Sequence, residues 1–217
     1  MTTFLLVRHG QSTGNLLNVC CGHQDYPLTA LGERQAERAA AYLKEHYSID
    51  HVYASPLLRA SGTAEPTARA FGLPVHLEEG LIEICAGIWE AMDWGELREK
   101  FGDEHRRWIR EGDYCPEGGE PIEAFCRRVC DCFEALAQRH SGECVALFCH
   151  SGVINRIYRS WIPKYPHINQ HLETYTFSNG SITAVELDGH GNPVSLPLFG
   201  YQEHLKDIET TTPKDLV

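Results

Sequence analysis

Two short apolar runs, each followed by a histidine, constrain the fold of this chain most strongly. Phe4–Val7 leads into Arg8-His9-Gly10, and Val145–Phe148 leads into Cys149-His150. Runs that are apolar at every position are typical of strands buried on both faces of a parallel sheet. Because open α/β sheets bind ligands at the carboxyl ends of their strands, the two histidines are predicted to lie in one cleft.

A third strand and two helical patterns extend this arrangement. The third strand is His51–Ala54. Before it, apolar residues recur on one face of a helix that Thr29 can cap, namely Leu31, Ala36, Ala39, Ala40 and Leu43. After it, Ser55-Pro56 predicts a helix start that places Arg59 in the first turn, near the cleft. Gly62 and Pro66 are expected to bend or break that helix. We therefore predict a three-layer α/β/α fold with a mostly parallel central sheet.

The rest of the chain is predicted to elaborate one domain over residues 1–217. A chain of 217 residues can form one sizeable α/β core. Residues 85–119 hold three tryptophans among many charges, and they are expected to form a small helical insertion over the ligand-binding edge, with Asp93 as a helix cap and Gly118-Gly119 as a turn. A hairpin is predicted around Asn179-Gly180 and Asp188-Gly189, and the polar tail 201–217 is expected to fray.

Charge and hydropathy restrict the partners. A net charge of −11 argues against nucleic acid or an anionic membrane as the main partner. No stretch approaches the roughly 20 apolar residues that span a bilayer. The start Met1-Thr2-Thr3 lacks the basic residues and the longer apolar core of a signal peptide, so we expect a cytoplasmic protein. A homodimer is left open.

The nine cysteines allow two further interpretations. Cys20-Cys21 with His23 could bind a metal, but the repeated Cys-x-x-Cys spacing of zinc sites is missing. Cys126 and Cys130 lie beside an apolar helical stripe and are predicted to pack as small apolar side chains. An odd cysteine count without a secretion signal is typical of reduced thiols. We therefore favour neither disulfides nor a metal.

The residues at the predicted strand ends suit a phosphate group. Guanidinium groups such as those of Arg8 and Arg59 bind phosphate oxygens with paired donors. The imidazoles of His9 and His150 can supply a nucleophile or a further donor, and backbone N–H groups around Gly10 can add more. The pattern indicates a site for a tetrahedral dianion.

Five sequence elements follow one another in a recognisable order. They are Leu6–Ser12 with Asn15, Ser55–Ala60 with Thr63-Ala64-Glu65, Glu83 with Gly87-Ile88-Trp89-Glu90, Gly118-Gly119-Glu120, and His150–Ile154. Together they resemble the motifs of the histidine phosphatase superfamily, which includes the phosphoglycerate mutases and many phosphatases. The resemblance extends to about residue 187.

The resemblance implies a role for each matched residue. His9 would attack phosphorus and become a phosphohistidine. Glu83 would protonate the leaving group and then accept a proton from the hydrolytic water. The phosphoryl group would be bound by Arg8, His9, Asn15, Arg59, His150 and Ser151. Neither a metal nor a cofactor is implied, because the arginines take the part that magnesium plays elsewhere.

The resemblance also leaves alternatives. The short span between Glu83 and His150 favours the compact phosphatases acting on a small phosphorylated metabolite over the cofactor-dependent mutases. Gly119-Glu120-Pro121 and Trp89-Glu90-Ala91 depart from the family patterns Gly-Glu-Ser and Trp-Glu-Gly, which leaves substrate preference open. A non-catalytic phospholigand-binding protein is the third alternative, although binding alone does not require His9 and Glu83.

Overall fold

A computed structural model describes residues 1–161 and 176–208. Its centre is a six-stranded sheet with the strand order β3-β2-β4-β1-β5-β6. The strands are β1 Thr2–Arg8, β2 His51–Ala54, β3 Val75–Leu77, β4 Cys144–Cys149, β5 Ile182–Leu187 and β6 Pro193–Tyr201. Strands β1 to β4 pair in parallel, whereas β5 and β6 are antiparallel, so the sheet is mostly parallel as predicted.

Helices connect the strands and cover both faces of the sheet. They are α1 Thr13–Leu16, α2 Ala30–His46, α3 Leu58–Phe71, α4 Trp94–Arg106, α5 Ile122–Arg139 and α6 Ser151–Trp161. Short 3₁₀ turns lie at Glu79–Leu81, Gly87–Trp89 and Glu203–Leu205, and a π turn at Arg107–Glu111 extends α4. Within residues 1–161 and 176–208, no helix is both long enough and apolar enough to cross a membrane.

Strand β1 shows how the three layers form. Its side chains alternate between the two faces, as they must in a strand. Leu5 and Val7 join the buried cluster that includes residues of α2 and α3, while Phe4 and Leu6 join the cluster that includes residues of α5 and α6. Each apolar strand therefore contributes to two cores, which confirms the three-layer prediction.

The loop after β1 lies against the start of α2 at unusually short range. A Cβ atom on Gly10 would lie 2.4 Å from the carbonyl oxygen of Gly32, and one on Gly32 would lie 2.1 Å from the carbonyl oxygen of Gln11. Only glycine at these two positions permits this approach. Thr29 caps α2 by accepting a hydrogen bond from the Gly32 N–H at 3.1 Å, as predicted.

The helix after β2 differs from the prediction in two respects. It begins at Leu58 rather than directly after Ser55, and its first N–H group donates to Asp25 Oδ1 at 2.7 Å, so a residue remote in sequence caps it. The Ser55 hydroxyl instead bonds His150 at 2.9 Å, so it is engaged across the sheet edge. Of the two outcomes expected at Gly62 and Pro66, a bend or a break, the break does not occur, because the helix continues to Phe71. Its buried face packs against α2 and the sheet, and this tertiary packing outweighs the backbone bond that proline removes.

The later segments largely follow the sequence pattern. The insertion forms the Gly87–Trp89 turn and α4, and Asp93 caps α4 through the N–H groups of Gly95 and Glu96 at 2.8 and 3.2 Å. Gly118-Gly119 forms the predicted turn, with Gly118 at φ 70°. Asp188 begins the β5–β6 hairpin turn, whereas Asn179-Gly180 forms a separate turn before β5.

The beginning of the predicted tail is ordered. Tyr201 ends β6, and Leu205 in the following 3₁₀ turn is fully buried against the fold. His204 stacks with Tyr201 and contacts the Gly180 carbonyl oxygen at 3.0 Å. The prediction that the tail frays from residue 201 is therefore wrong for residues 201–208, because the buried Leu205 side chain and the stacked His204 ring hold this segment against the fold. Residues 209–217 lie outside the described residues.

Removing the aromatic contact beneath β1 should destabilise the fold strongly. Phe133 is fully buried, with its ring centroid 4.8 Å from that of Phe4. We expect Phe133→Ala to lower the free energy of unfolding by about 3–5 kcal/mol, because it leaves a cavity in the core. The exposed neighbouring variant Glu134→Ala should change it by less than about 0.5 kcal/mol. Equal urea midpoints for the two variants would contradict this packing.

Candidate active site

A cavity of about 500 Å³ lies at the carboxyl ends of β1, β2 and β4. The structure brings every residue of the predicted set to its lining: Arg8, His9, Asn15, Arg59, Glu83, His150 and Ser151. The parallel direction of these strands explains the convergence, since each strand delivers its following residues to the same edge.

His9 is held as a neutral imidazole. Its Nδ1–H donates to the Gly10 carbonyl oxygen at 2.7 Å, which leaves the lone pair on Nε2. Burial, reinforced by the nearby charges of Arg59 and Arg8, lowers the pKa of His9 well below its usual value. At neutral pH the ring therefore carries a nucleophilic nitrogen without first losing a proton.

His150 lies beside His9, with the ring centroids 5.2 Å apart. Its Nε2 is 2.9 Å from the Ser55 hydroxyl, while its buried Nδ1 has no hydrogen-bond partner among the described residues. Ser55 Oγ accepts from the Leu57 N–H at 3.4 Å and can donate its own proton to Nε2. That arrangement leaves the ring proton on Nδ1 as a donor. Burial and the charge of Arg59 lower the pKa of His150 well below its usual value.

Two arginines supply positive charge in this buried site. Arg59 donates from Nη1 to the Gln24 carbonyl oxygen and from Nη2 to the Gly22 carbonyl oxygen, each at 2.8 Å. Arg8 donates from Nη1 to the carbonyl oxygen of Phe177. Burial lowers the pKa of Arg8 to about 10 and also lowers that of Arg59. Arg8 thus keeps its charge at neutral pH, and the carbonyls fix both guanidinium groups in place.

Each of these two guanidinium groups also has one N–H donor that is not hydrogen-bonded within the described part of the chain. The Nε atoms of Arg8 and Arg59 are buried and have no hydrogen-bond partner within the described part of the chain. Buried donors are normally paired. An anion that enters the cavity could accept hydrogen bonds from these unpaired Nε–H donors.

Asn15 and Asn179 form a pair of amides at the same edge. Asn15 Oδ1 accepts from the Ser12 N–H at 3.0 Å and from Asn179 Nδ2 at 3.1 Å, so its own Nδ2 is oriented as a donor. Asn179 Nδ2 also donates to the His9 carbonyl oxygen at 3.0 Å. Sequence reasoning missed Asn179, since the Asn-Gly dipeptide was interpreted only as a turn.

Glu83 is fixed at the start of α6. Its Oε2 accepts from the Gly152 N–H and its Oε1 from the Ile84 N–H, both at 3.0 Å. A Cβ atom on Gly152 would lie 2.2 Å from Glu83 Oε1, so a larger residue there would displace the carboxylate from this position. Ser151, the first residue of α6, also lines the cavity.

The outer part of the cavity extends well beyond the histidines. Its wall is mainly apolar and is formed by Trp94, Trp108, Ile109, Ile122 and Phe125. Asn155, Arg156 and Arg159 on α6 add polar groups. The insertion thus supplies one side of the cavity, as its predicted place over the sheet edge implied. The space accommodates a molecule larger than a phosphoryl group.

The cysteines and His23 have other contacts. All nine cysteines are free thiols. His23 Nε2 donates to the Glu83 carbonyl oxygen at 2.8 Å, so this ring supports the Glu83 segment. Cys126 packs against the core as predicted, whereas the Cys130 thiol contacts the Ser160 hydroxyl at 3.0 Å.

Comparison with known proteins identifies relatives of both kinds expected from the motifs. A model of the histidine phosphatase superfamily (branch 1) matches residues 4–197. Phosphoserine phosphatase 1 of Hydrogenobacter thermophilus is 33% identical over 159 residues, which cover 73% of this chain and 75% of that protein. A 2,3-bisphosphoglycerate-dependent phosphoglycerate mutase of Nitrobacter winogradskyi is 33% identical over 160 residues, covering 70% and 77% respectively.

Solved structures show the same fold. A mutant phosphoserine phosphatase from Entamoeba histolytica, in complex with phosphoserine, superposes with a TM-score of 0.78 at 28% identity, covering 94% of this chain and 100% of that one. The chain spans only 43% of the length of the mycobacterial proteins that it matches at 34% identity.

The buried neutral histidines should make stability sensitive to acid. Because the pKa of His9 is lower in the folded than in the unfolded state, the unfolded chain binds more protons below pH 6.5. The free energy of unfolding should then fall on acidification by up to about 1.4 kcal/mol per pH unit for this group. In His9→Asn the fall between pH 7.5 and pH 5.5 should be smaller, measured by urea unfolding.

The exposed, non-titrating variant Gln138→Asn should follow the wild-type pH dependence. Parallel pH profiles for wild type and His9→Asn would refute the assignment of a neutral buried ring.

Proposed function

Because the chain belongs to the histidine phosphatase superfamily, we propose that it hydrolyses phosphomonoesters of small metabolites through a phosphohistidine formed at His9. The observation that carries this proposal is the state of His9. Its Nδ1–H is bound to the Gly10 carbonyl oxygen, and its free Nε2 lone pair lies in a cavity with two buried guanidinium groups.

In the first step, Nε2 of His9 attacks phosphorus in line with the ester bond. A P–N bond forms, the P–O ester bond breaks, and the departing oxygen takes a proton from the carboxyl group of Glu83. Arg8, Arg59 and the Nδ1–H of His150 contact the phosphoryl oxygens and stabilise the charge that spreads over them. Asn15 and Ser151 complete the set of donors.

In the second step, water attacks the phosphohistidine. The ionised Glu83 accepts a proton from this water, the P–N bond breaks, and inorganic phosphate leaves with His9 neutral again. The two backbone N–H groups that hold Glu83 keep its carboxylate over the same place in both steps. One carboxyl group therefore serves as acid and then as base.

The positive charge of the site supports a reaction that needs no metal. Arg8 and Arg59 are oriented by backbone carbonyls rather than by carboxylates, so their charge is left for the substrate. A bound dianion would face two fixed cations and neutral donors. That arrangement can supply the neutralisation that magnesium gives in other phosphoryl-transfer enzymes.

The same first step serves a mutase, and the Nitrobacter relative supports that as a second candidate. The two functions differ in the acceptor of the phosphoryl group, which is water in a phosphatase and a second substrate hydroxyl in a mutase. The largely apolar outer wall favours a phosphatase whose substrate has a bulky organic part. A single-domain organisation over residues 1–217, a cytoplasmic location and the open homodimer stay predictions.

Loss of His9 should abolish hydrolysis. With p-nitrophenyl phosphate and excess chelator, we expect wild type to release inorganic phosphate and His9→Ala to lose about 10³-fold or more in kcat/KM. Rapid acid-free quenching of wild type should trap an acid-labile phosphoenzyme, which the variant should not form. His46→Asn, an exposed histidine variant on α2, should retain wild-type activity.

Phosphate release that persists in His9→Ala would refute this mechanism. Activity lost with the chelator and restored by a divalent ion would refute metal independence. Transfer to an added phosphoglycerate without net phosphate release would favour the mutase.

Substitution of Glu83 should affect substrates according to their leaving group. Glu83→Gln keeps the shape of the side chain but removes its acid, so phosphorylation of His9 by an alkyl phosphate should slow by about 10²–10⁴-fold. An aryl phosphate such as p-nitrophenyl phosphate, whose leaving group needs no proton, should phosphorylate His9 at nearly the wild-type rate. The exposed variant Glu79→Gln is the control. Equal slowing for both substrates in single-turnover experiments would contradict the acid role.

A further inference from the structure

A second polar cluster lies at the opposite edge of the sheet from the cavity. His51 is the first residue of β2, His140 follows α5, and Glu143 immediately precedes β4. Glu143 Oε2 lies 2.7 Å from His140 Nδ1 and 3.2 Å from His51 Nε2. One donor atom from each of the three residues lies within 4.8 Å of the others. The proposed phosphatase chemistry uses none of them.

Two imidazoles and a carboxylate are ligands of divalent transition metals, and of zinc in particular. Ligand atoms about 2.0–2.2 Å from a tetrahedral ion lie roughly 3.3–3.6 Å from each other. The carboxylate oxygen is already close to that spacing from both rings, at 2.7 and 3.2 Å, and the donor atoms of the two rings lie within 4.8 Å of each other, so binding would require shifts of up to about an ångström. The two imidazole rings, with centroids 4.2 Å apart, face the same carboxylate.

A second contact orients the buried member of this set. His140 is only 5% exposed, and its Nε2 lies 2.9 Å from the Tyr53 hydroxyl. A tyrosine hydroxyl can donate or accept. It can therefore donate to Nε2 while Nδ1–H bonds Glu143, or accept from Nε2–H while Nδ1 binds a metal. Metal-ligating histidines generally have such a partner on the other ring nitrogen.

The cluster is open to solvent on one side. The side chains of His51 and Glu143 are 33% and 42% exposed. An ion can therefore reach the site from water, and water can complete its coordination. His140, on the inner side, is fixed by Tyr53.

We propose that His51, His140 and Glu143 bind one divalent transition-metal ion, Zn²⁺ in particular, as a structural clamp. The ion would join the start of β2, the end of α5 and the turn before β4. Because an ion that binds only the folded state stabilises it by mass action, it would raise Tm without entering the reaction. This proposal is independent of the function proposed above.

The test uses the full chain without a histidine tag, stripped with chelator and kept reduced. Titration calorimetry with Zn²⁺ should give one site per chain, and Zn²⁺ at about 100-fold over Kd should raise Tm by about 5–10 °C. His51→Asn and Glu143→Gln should each weaken binding about 10–100-fold, whereas the exposed variant His46→Asn should not. Hydrolysis of p-nitrophenyl phosphate should be the same in His51→Asn as in wild type.

Cobalt distinguishes this site from the nine thiols, because thiolate ligands give an intense sulfur-to-metal absorption and nitrogen and oxygen ligands do not. The expected Co²⁺ spectrum shows visible d–d bands without that absorption, and Glu143→Gln loses the bands. The proposal is overturned if Zn²⁺ does not bind, if both variants bind it as wild type does, or if the cobalt spectrum shows sulfur ligation. In those cases the cluster is a hydrogen-bonded network only.

Discussion

The burial of two guanidinium groups at the carboxyl edge of the sheet is the constraint on which the site depends. Arg59 is 1% exposed, and a charge so deeply buried is costly unless its donors are paired. The chain meets this cost with main-chain carbonyls of residues 22 and 24, so the loop that holds them must fold over the arginine. Pairing of Arg59 thus ties the backbone of residues 22 and 24 to the cavity, and Gly22 is part of the cavity lining.

These cations serve two purposes at once. Their field helps to keep His9 and His150 unprotonated, which preserves the lone pair on His9 Nε2. In the function proposed above, the same field would attract a phosphoryl dianion. Pairing of the arginines with carbonyls instead of carboxylates is essential to this dual effect, because a carboxylate at that position would cancel the charge that the substrate needs.

Local patterns predicted much of the architecture. The three apolar strands, the Thr29 cap and the Asp93 cap depend on neighbours within a few residues, and all were predictable for that reason. The errors concern residues whose partners are remote in sequence. Ser55 bonds His150 instead of capping α3, and Leu205 is buried by contacts that no local pattern predicts. A side-chain hydroxyl can form a hydrogen bond with any of several partners. Partners that are remote in sequence come within reach only after the chain has folded.

The sequence alone determined that a parallel sheet would deliver Arg8, His9 and His150 to one edge, because strand direction and residue order fix where each strand ends. It also identified Glu83, through a motif. Only the tertiary structure decided the protonation state of His9 and the amide pair of Asn15 with Asn179. The tertiary structure also brings residues 51, 140 and 143 together at the edge of the sheet opposite the cavity. Hydrogen bonds and electrostatic fields act through space, and the distances that govern them exist only after the chain has folded.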